Sequence, residues 1–185
     1  MNKRPHEMYL AYIAQTLLGA NVIIAAELRD FPAVMLGGLM FLVGLIPYLI
    51  TWKMKIVFPW FVYLLVSLAL LIHASGYIQE RYIMHAHWDK FAHLVSGSAV
   101  ALIGFLFVMF LDYIRQYNLD HSFIALFTVL FTLACEYCWE VAEFLVDTFF
   151  GGSFAGPMQL SNTDTMMDMI FVFMPGVFFA LLCYN

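Results

Sequence analysis

The chain has 185 residues, of which 64% are hydrophobic and 11% charged, with a formal net charge of −5. Soluble domains hold about 45–50% apolar and about 25% charged residues. A soluble fold and a disordered chain are therefore both excluded, and eight scattered Lys and Arg offer no basic face to nucleic acid. A mean hydropathy of +0.86 points to an all-α, polytopic transmembrane helix bundle with six spanning helices, expected as a single integral membrane domain over residues 1–185.

Met1–Glu7 is short, polar and basic, and an apolar stretch follows, an order that signal peptides share. That stretch, Met8–Ala26, is long for a signal peptide and reads as a retained first helix. Six apolar segments follow one another at about 8–26, 31–52, 56–78, 91–112, 121–146 and 165–184. Each reaches the roughly 20 residues that a spanning helix needs. In lipid the backbone must satisfy itself internally, and the alternation of a transmembrane barrel is absent, so the segments are helices. Lys3, Arg4, Lys53, Lys55 and Arg115 fall on one side of such a bundle, and Arg29, Arg81 and Lys90 on the other. The excess predicts both termini in the cytoplasm of a multi-pass protein of the cell (inner or plasma) membrane. Residues 1–80 carry few polar groups within their helices, chiefly Gln15, Asn21 and His73, and read as scaffold.

Residues 81–185 carry the chemistry. The fifth helix holds Glu136, Glu140 and Glu143, then Asp147, at spacings that put all four on one helix face. An ionised carboxylate in the bilayer costs several kcal/mol, so protons or a cation must neutralise the stripe. Asp89 and His93 lie one turn apart at the start of the fourth helix, and Asp164 and Asp168 one turn apart at the start of the sixth. Helix bundles build metal sites from such inward-facing carboxylates and imidazoles. The predicted metal ligands are Asp89, His93, Glu136, Glu140, Glu143, Asp164 and Asp168. The donor types suit a divalent ion such as Zn, Mg, Mn or Fe(II) rather than Cu(I). The topology puts all of them towards the outer face, where ten acids stand against three basic residues, a formal −7. Lys90 either snorkels outwards or pairs with an acid of the cluster. Asp112 and Asp120 are expected at helix ends. Cys135 and Cys138 form a formal CxxC but read as small packing residues. The loop Asp147–Asp164, apolar and rich in glycine, reads equally as a lid or as an interfacial loop.

Asp89-Lys-Phe-Ala-His93-x-x-x-Gly97, Glu140-Val-Ala-Glu143 and Asp164-Thr-Met-Met-Asp168-Met169, with Gly176, resemble the YjdF-like family of inner-membrane proteins over roughly residues 83–180. The Asp-Lys-x-x-His and Asp-x-x-x-Asp elements are also similar to the VanZ-like group. Ser161 stands where that group has Arg, and Leu160-Ser161-Asn162 where the YjdF pattern has Gln-Gly-Asp. The resemblance implies a membrane protein with these site residues and names no reaction.

Three functions follow from the residues. One is a metal-dependent enzyme acting on a lipid or envelope precursor, with Glu140 or Glu143 as general base and so the catalytic residue. Another is an ion, metal or proton-coupled transporter. The third is a non-catalytic membrane subunit or resistance factor. A gradient of polar residues across the whole bundle would favour transport, and a pocket open to one leaflet would favour the enzyme.

Overall fold

The computed structural model describes residues 5–85, 87–150 and 158–184. Every element among them is helical: α1 (Pro5–Glu27), α2 (Phe31–Gly44), α3 (Ile46–Met54), α4 (Trp60–Ile78), α5 (Arg81–Met84), α6 (Trp88–Arg115), α7 (His121–Phe150), α8 (Asn162–Leu181) and a 3-10 turn at Leu182–Tyr184. Six stretches are long and apolar enough to cross a membrane, the second being α2 and α3 together. Leu10, Ile13, Leu39, Leu42, Phe107, Leu130 and Phe178 point outward. So much exposed apolar surface suits hydrocarbon rather than water.

The helix ends follow local chemistry. Asp30 caps α2 by accepting the Ala33 N–H at 3.1 Å, with Pro32 in the first turn. The second apolar segment, expected as one helix over 31–52, is broken at Leu45. Pro47 has no N–H, and its ring crowds the carbonyl four residues back. Accordingly the Leu45 N–H reaches back only three residues, to Leu42, at 3.1 Å. The third segment begins at Trp60 rather than 56, because Lys55 turns left-handed at φ 60° and Pro59 precedes the helix. Proline disfavours helix at the residue before it. The polar stretch Gln79–Lys90 contains the short α5, which is not among the expected helices, and the first turn of α6, where Asp89 is expected.

Contacts divide the chain into two compact units, one reaching Ala92 and the other starting at His93. In the first unit α4 is the central helix, with Tyr63, Val66, Ser67, Ala69, Ile72 and His73 buried. Neutral polar groups join its helices. Gln15 donates to the Phe41 carbonyl at 3.0 Å and accepts from Ser67 at 3.1 Å, and Gln79 donates to Asn21 at 2.7 Å. Gly44 leaves the space that Gln15 crosses, since a Cβ there would stand 2.5 Å from its Oε1. Interhelical amide bonds of this kind hold membrane helices that gain nothing from apolar contact alone.

In the second unit α6, α7 and α8 cross one another at small residues. A Cβ on Gly97 would meet the Cα of Val172 at 2.9 Å, so the α6 and α8 backbones nearly touch. A Cβ on Gly104 would meet Phe131 of α7 at 2.6 Å. Asp120 caps α7 by accepting the Phe123 N–H at 2.7 Å, and Asp112 accepts the Leu119 N–H at 3.0 Å. Both acids therefore sit at helix ends as expected.

Candidate metal centre

One face of α7 is buried from Thr128 through Thr132, Glu136 and Glu140 to Glu143. The steps of four, four, four and three keep these side chains in register with the helix. The two threonines are satisfied locally, each hydroxyl donating to the carbonyl four residues back at 2.8 and 2.7 Å. A carboxylate cannot do this, because it has no proton to give. The three glutamates must look to other helices.

α6 answers with His93, whose exposure is 1%. Its Nδ1 lies 2.9 Å from Glu136 Oε1, and its Nε2 lies 3.9 Å from Asp168 Oδ1. Asp168, 3% exposed, comes from α8. Gly97 and Val172 explain the meeting, for each lies one turn beyond its partner in the site: His93 and Asp168. Where the backbones nearly touch at Gly97, the side chains one turn earlier face each other. The start of α8 is fixed by Ser161 as N-cap, with Asp164 reaching back to the residue before it. Ser161 accepts the Asp164 N–H at 3.2 Å, and Asp164 accepts the Leu160 N–H at 3.3 Å.

Glu140 completes the group. One donor atom each from His93, Glu136 and Glu140 lie within 4.8 Å of one another, and all three residues are buried. Glu140 Oε2 accepts from Gln159 Nε2 at 3.0 Å. Its Oε1 is buried and has no hydrogen-bond partner among the described residues. A buried acceptor left unmade costs about 1–3 kcal/mol, more if charged. From His93 onward the sequence has eight acids, one Arg and no Lys. That residue, Arg115, ends α6, about 33 Å along the helix from His93 at 1.5 Å per residue.

The donor set fits a divalent cation. Metal–nitrogen and metal–oxygen bonds of about 2.0–2.2 Å can together span the 3.9 Å between His93 Nε2 and Asp168 Oδ1. The 2.9 Å contact on the other ring nitrogen matches the carboxylate that orients a ligating histidine.

Not every sequence candidate is gathered here. Glu143 is buried one turn past Glu140, outside the set of three. Asp164 serves the α8 cap. Asp89 lies in the first turn of α6, one turn before His93; the two offer donor atoms within 4.8 Å of each other, and the Asp89 carboxylate also pairs with Lys90 Nζ at 2.8 Å. Of the two readings open for Lys90, the structure shows pairing. His73, in the first unit, shares a 2.7 Å hydrogen bond with the Tyr82 hydroxyl. Cys135 and Cys138 are free thiols. Residues 151–157 of the Asp147–Asp164 loop lie outside the described residues. Two features escaped the sequence reading. Gln159 is a lone amide in an apolar stretch, and the Thr128–Thr132 pair extends the carboxylate face with no charge to mark it.

The family model described as Predicted membrane protein (DUF2238) matches residues 9–185, and the chain belongs to that family. This is the family to which the YjdF-like resemblance pointed, and the match extends well beyond residues 83–180. No curated protein and no solved structure matches the chain.

Proposed function

We propose that His93, Glu140 and Asp168 hold a divalent cation within the membrane, with Glu136 orienting the imidazole from its other nitrogen, and that the centre serves a hydrolytic or group-transfer reaction on a lipid or envelope precursor. The observation that carries this is Glu140 Oε1, a buried oxygen with no hydrogen-bond partner among the described residues, beside the buried His93 and Glu136. Without a cation, protons must fill that role. Imidazole with several carboxylates favours Zn, Mn, Fe(II) or Mg. Such an ion polarises a phosphoryl or acyl oxygen or activates water. Glu140 is a ligand in this reading, and Glu143, buried and outside the donor set, is the general base.

Enzyme is favoured over transporter by the floor of the site. Below Glu136 the buried faces of the second unit continue as Thr132 and Thr128 on α7, Ala101 and Leu102 on α6, and Val172 and Ala180 on α8. Among the described residues of that unit the buried titratable groups stop at Glu136. The Lys and Arg distribution supports a topology with both termini in the cytoplasm and the centre towards the outer face of the cell membrane.

Titrating chelator-stripped protein with Mn(II), followed by electron paramagnetic resonance, tests the centre. The parent should bind stoichiometrically, and Glu143→Gln should bind equally well. In proteoliposomes loaded with phospholipid and polyprenyl-phosphate precursors, Glu143→Gln should abolish metal-dependent turnover. Equal turnover in Glu143→Gln would remove its role as base, and absence of Mn(II) binding in the parent would remove the centre.

A further inference from the structure

Beyond the cation ligands themselves, one polar chain reaches into the site from the segment that leads into α8. Asp147, near the end of α7, accepts the Met158 N–H with both carboxylate oxygens at 2.9 Å, and the Gln159 N–H at 2.9 Å. The backbone at 158–159 is thereby tied to α7. From there the Gln159 carboxamide donates to Glu140 Oε2 at 3.0 Å and to the Glu140 carbonyl at 3.2 Å. The terminal torsion of a glutamate is soft and nearly two-fold, so a carboxylate turns easily unless it is held. Gln159 holds one oxygen and leaves the other, Oε1, as the buried atom with no partner.

We infer that Gln159 is a positioning residue of the centre: it aims Glu140 Oε1 at the cation, and Asp147 holds Gln159 in place. This rests on the cation reading above. A carboxylate fixed before binding need not be ordered on binding, and that difference appears as affinity. Outer-shell partners of metal ligands are typically worth about 10–100-fold in affinity. Asp147 thus has a role other than that of a fourth carboxylate on the α7 stripe. Its oxygens are occupied by backbone N–H groups.

The test uses the full chain in detergent with two readouts. Gln159→Met keeps length and removes the donor. It should raise the Mn(II) dissociation constant by about 10–100-fold and lower the melting of the metal-free protein only modestly, since Glu140 Oε2 loses its donor. Asp147→Asn keeps one accepting oxygen. It should give an intermediate loss, and it carries the test if Gln159→Met does not fold. The second readout needs no metal. Dicyclohexylcarbodiimide labelling of Glu140, located by peptide mass spectrometry with Glu140→Gln as the blank, should rise several-fold in Gln159→Met. If Mn(II) binding and labelling both stay at the parent's values, Gln159 only packs, and the inference is overturned. If the parent binds no Mn(II) yet labelling rises, the cation reading fails while Gln159 still positions Glu140.

Discussion

The two units bury polar groups in opposite ways. In the first, Gln15, Ser67, Asn21 and Gln79 are neutral, and their donors meet acceptors within the unit: Ser67 donates to Gln15, Gln15 to the Phe41 carbonyl, Gln79 to Asn21 and Asn21 to the Leu17 carbonyl. Such groups close on themselves and act as fasteners between helices. In the second, Glu136, Glu140, Glu143 and Asp168 are all buried and all acceptors when ionised, and Glu136 and Asp168 flank the one His93 imidazole. Acceptors cannot satisfy acceptors, so that unit needs protons or a cation from outside. The difference shows how a membrane protein's polar residues sort into structure and function: donors and acceptors in balance are structural, and a surplus of one kind marks a site.

Substitutions should divide the units in the same way. The largest effect is expected for His93→Ala, which strips both Glu136 and Asp168 of their shared partner. Breaking a buried charged pair costs about 3–5 kcal/mol, and metal binding should vanish with it, as chemical denaturation and metal content would show. Gly97→Ala comes next. Its Cβ would press on the Val172 Cα at 2.9 Å, and overpacking costs about 1–3 kcal/mol. Pushing α8 away should also separate Asp168 from His93 and weaken Mn(II) binding. Gln15→Leu in the first unit should cost less, about 0.6–1.7 kcal/mol for lost interhelical bonds, with metal affinity unchanged. A fall in metal affinity there would blur the division. Gly38→Ala has open space around it and should stabilise by about 0.4–1 kcal/mol, chiefly through the unfolded chain. The smallest effect belongs to Asp120→Asn. Asparagine caps a helix about as well as aspartate, so melting should hardly move.

The sequence made the six spans legible because hydrocarbon demands length and apolarity, and both are written in composition. It did not reveal the break at Leu45 as such, although Pro47 carried the signal. The α7 carboxylate stripe was legible from its four-three-four spacing, and His93 and Asp168 from their positions near helix starts. Depth alone could not separate Asp168 from Asp164. One turn apart, the two aspartates divide their work: one faces His93, and the other closes the α8 cap with Ser161. The Ser161-x-x-Asp164 spacing was a capping signal that a metal reading overrode. Asp89 shares a helix face with His93, and its neighbour Lys90 takes its carboxylate. Gln159 could not be read at all. Its position depends on Asp147 folding the segment at 158–159 back onto α7, a long-range contact that no periodicity encodes.

The central claim is that the surplus of acceptors around His93 is balanced by a metal. The most direct measurement is the metal content of detergent-purified, metal-supplemented protein by mass spectrometry, in the parent and in Glu140→Gln, at neutral and at acid pH. A stoichiometric divalent ion should accompany the parent at neutral pH. It should be lost in Glu140→Gln, and it should leave the parent at acid pH, where protons compete for the same oxygens and ring nitrogen. A parent that carries no metal, together with a Glu140→Gln variant more stable than the parent, would contradict the claim and identify the group as a protonated packing network.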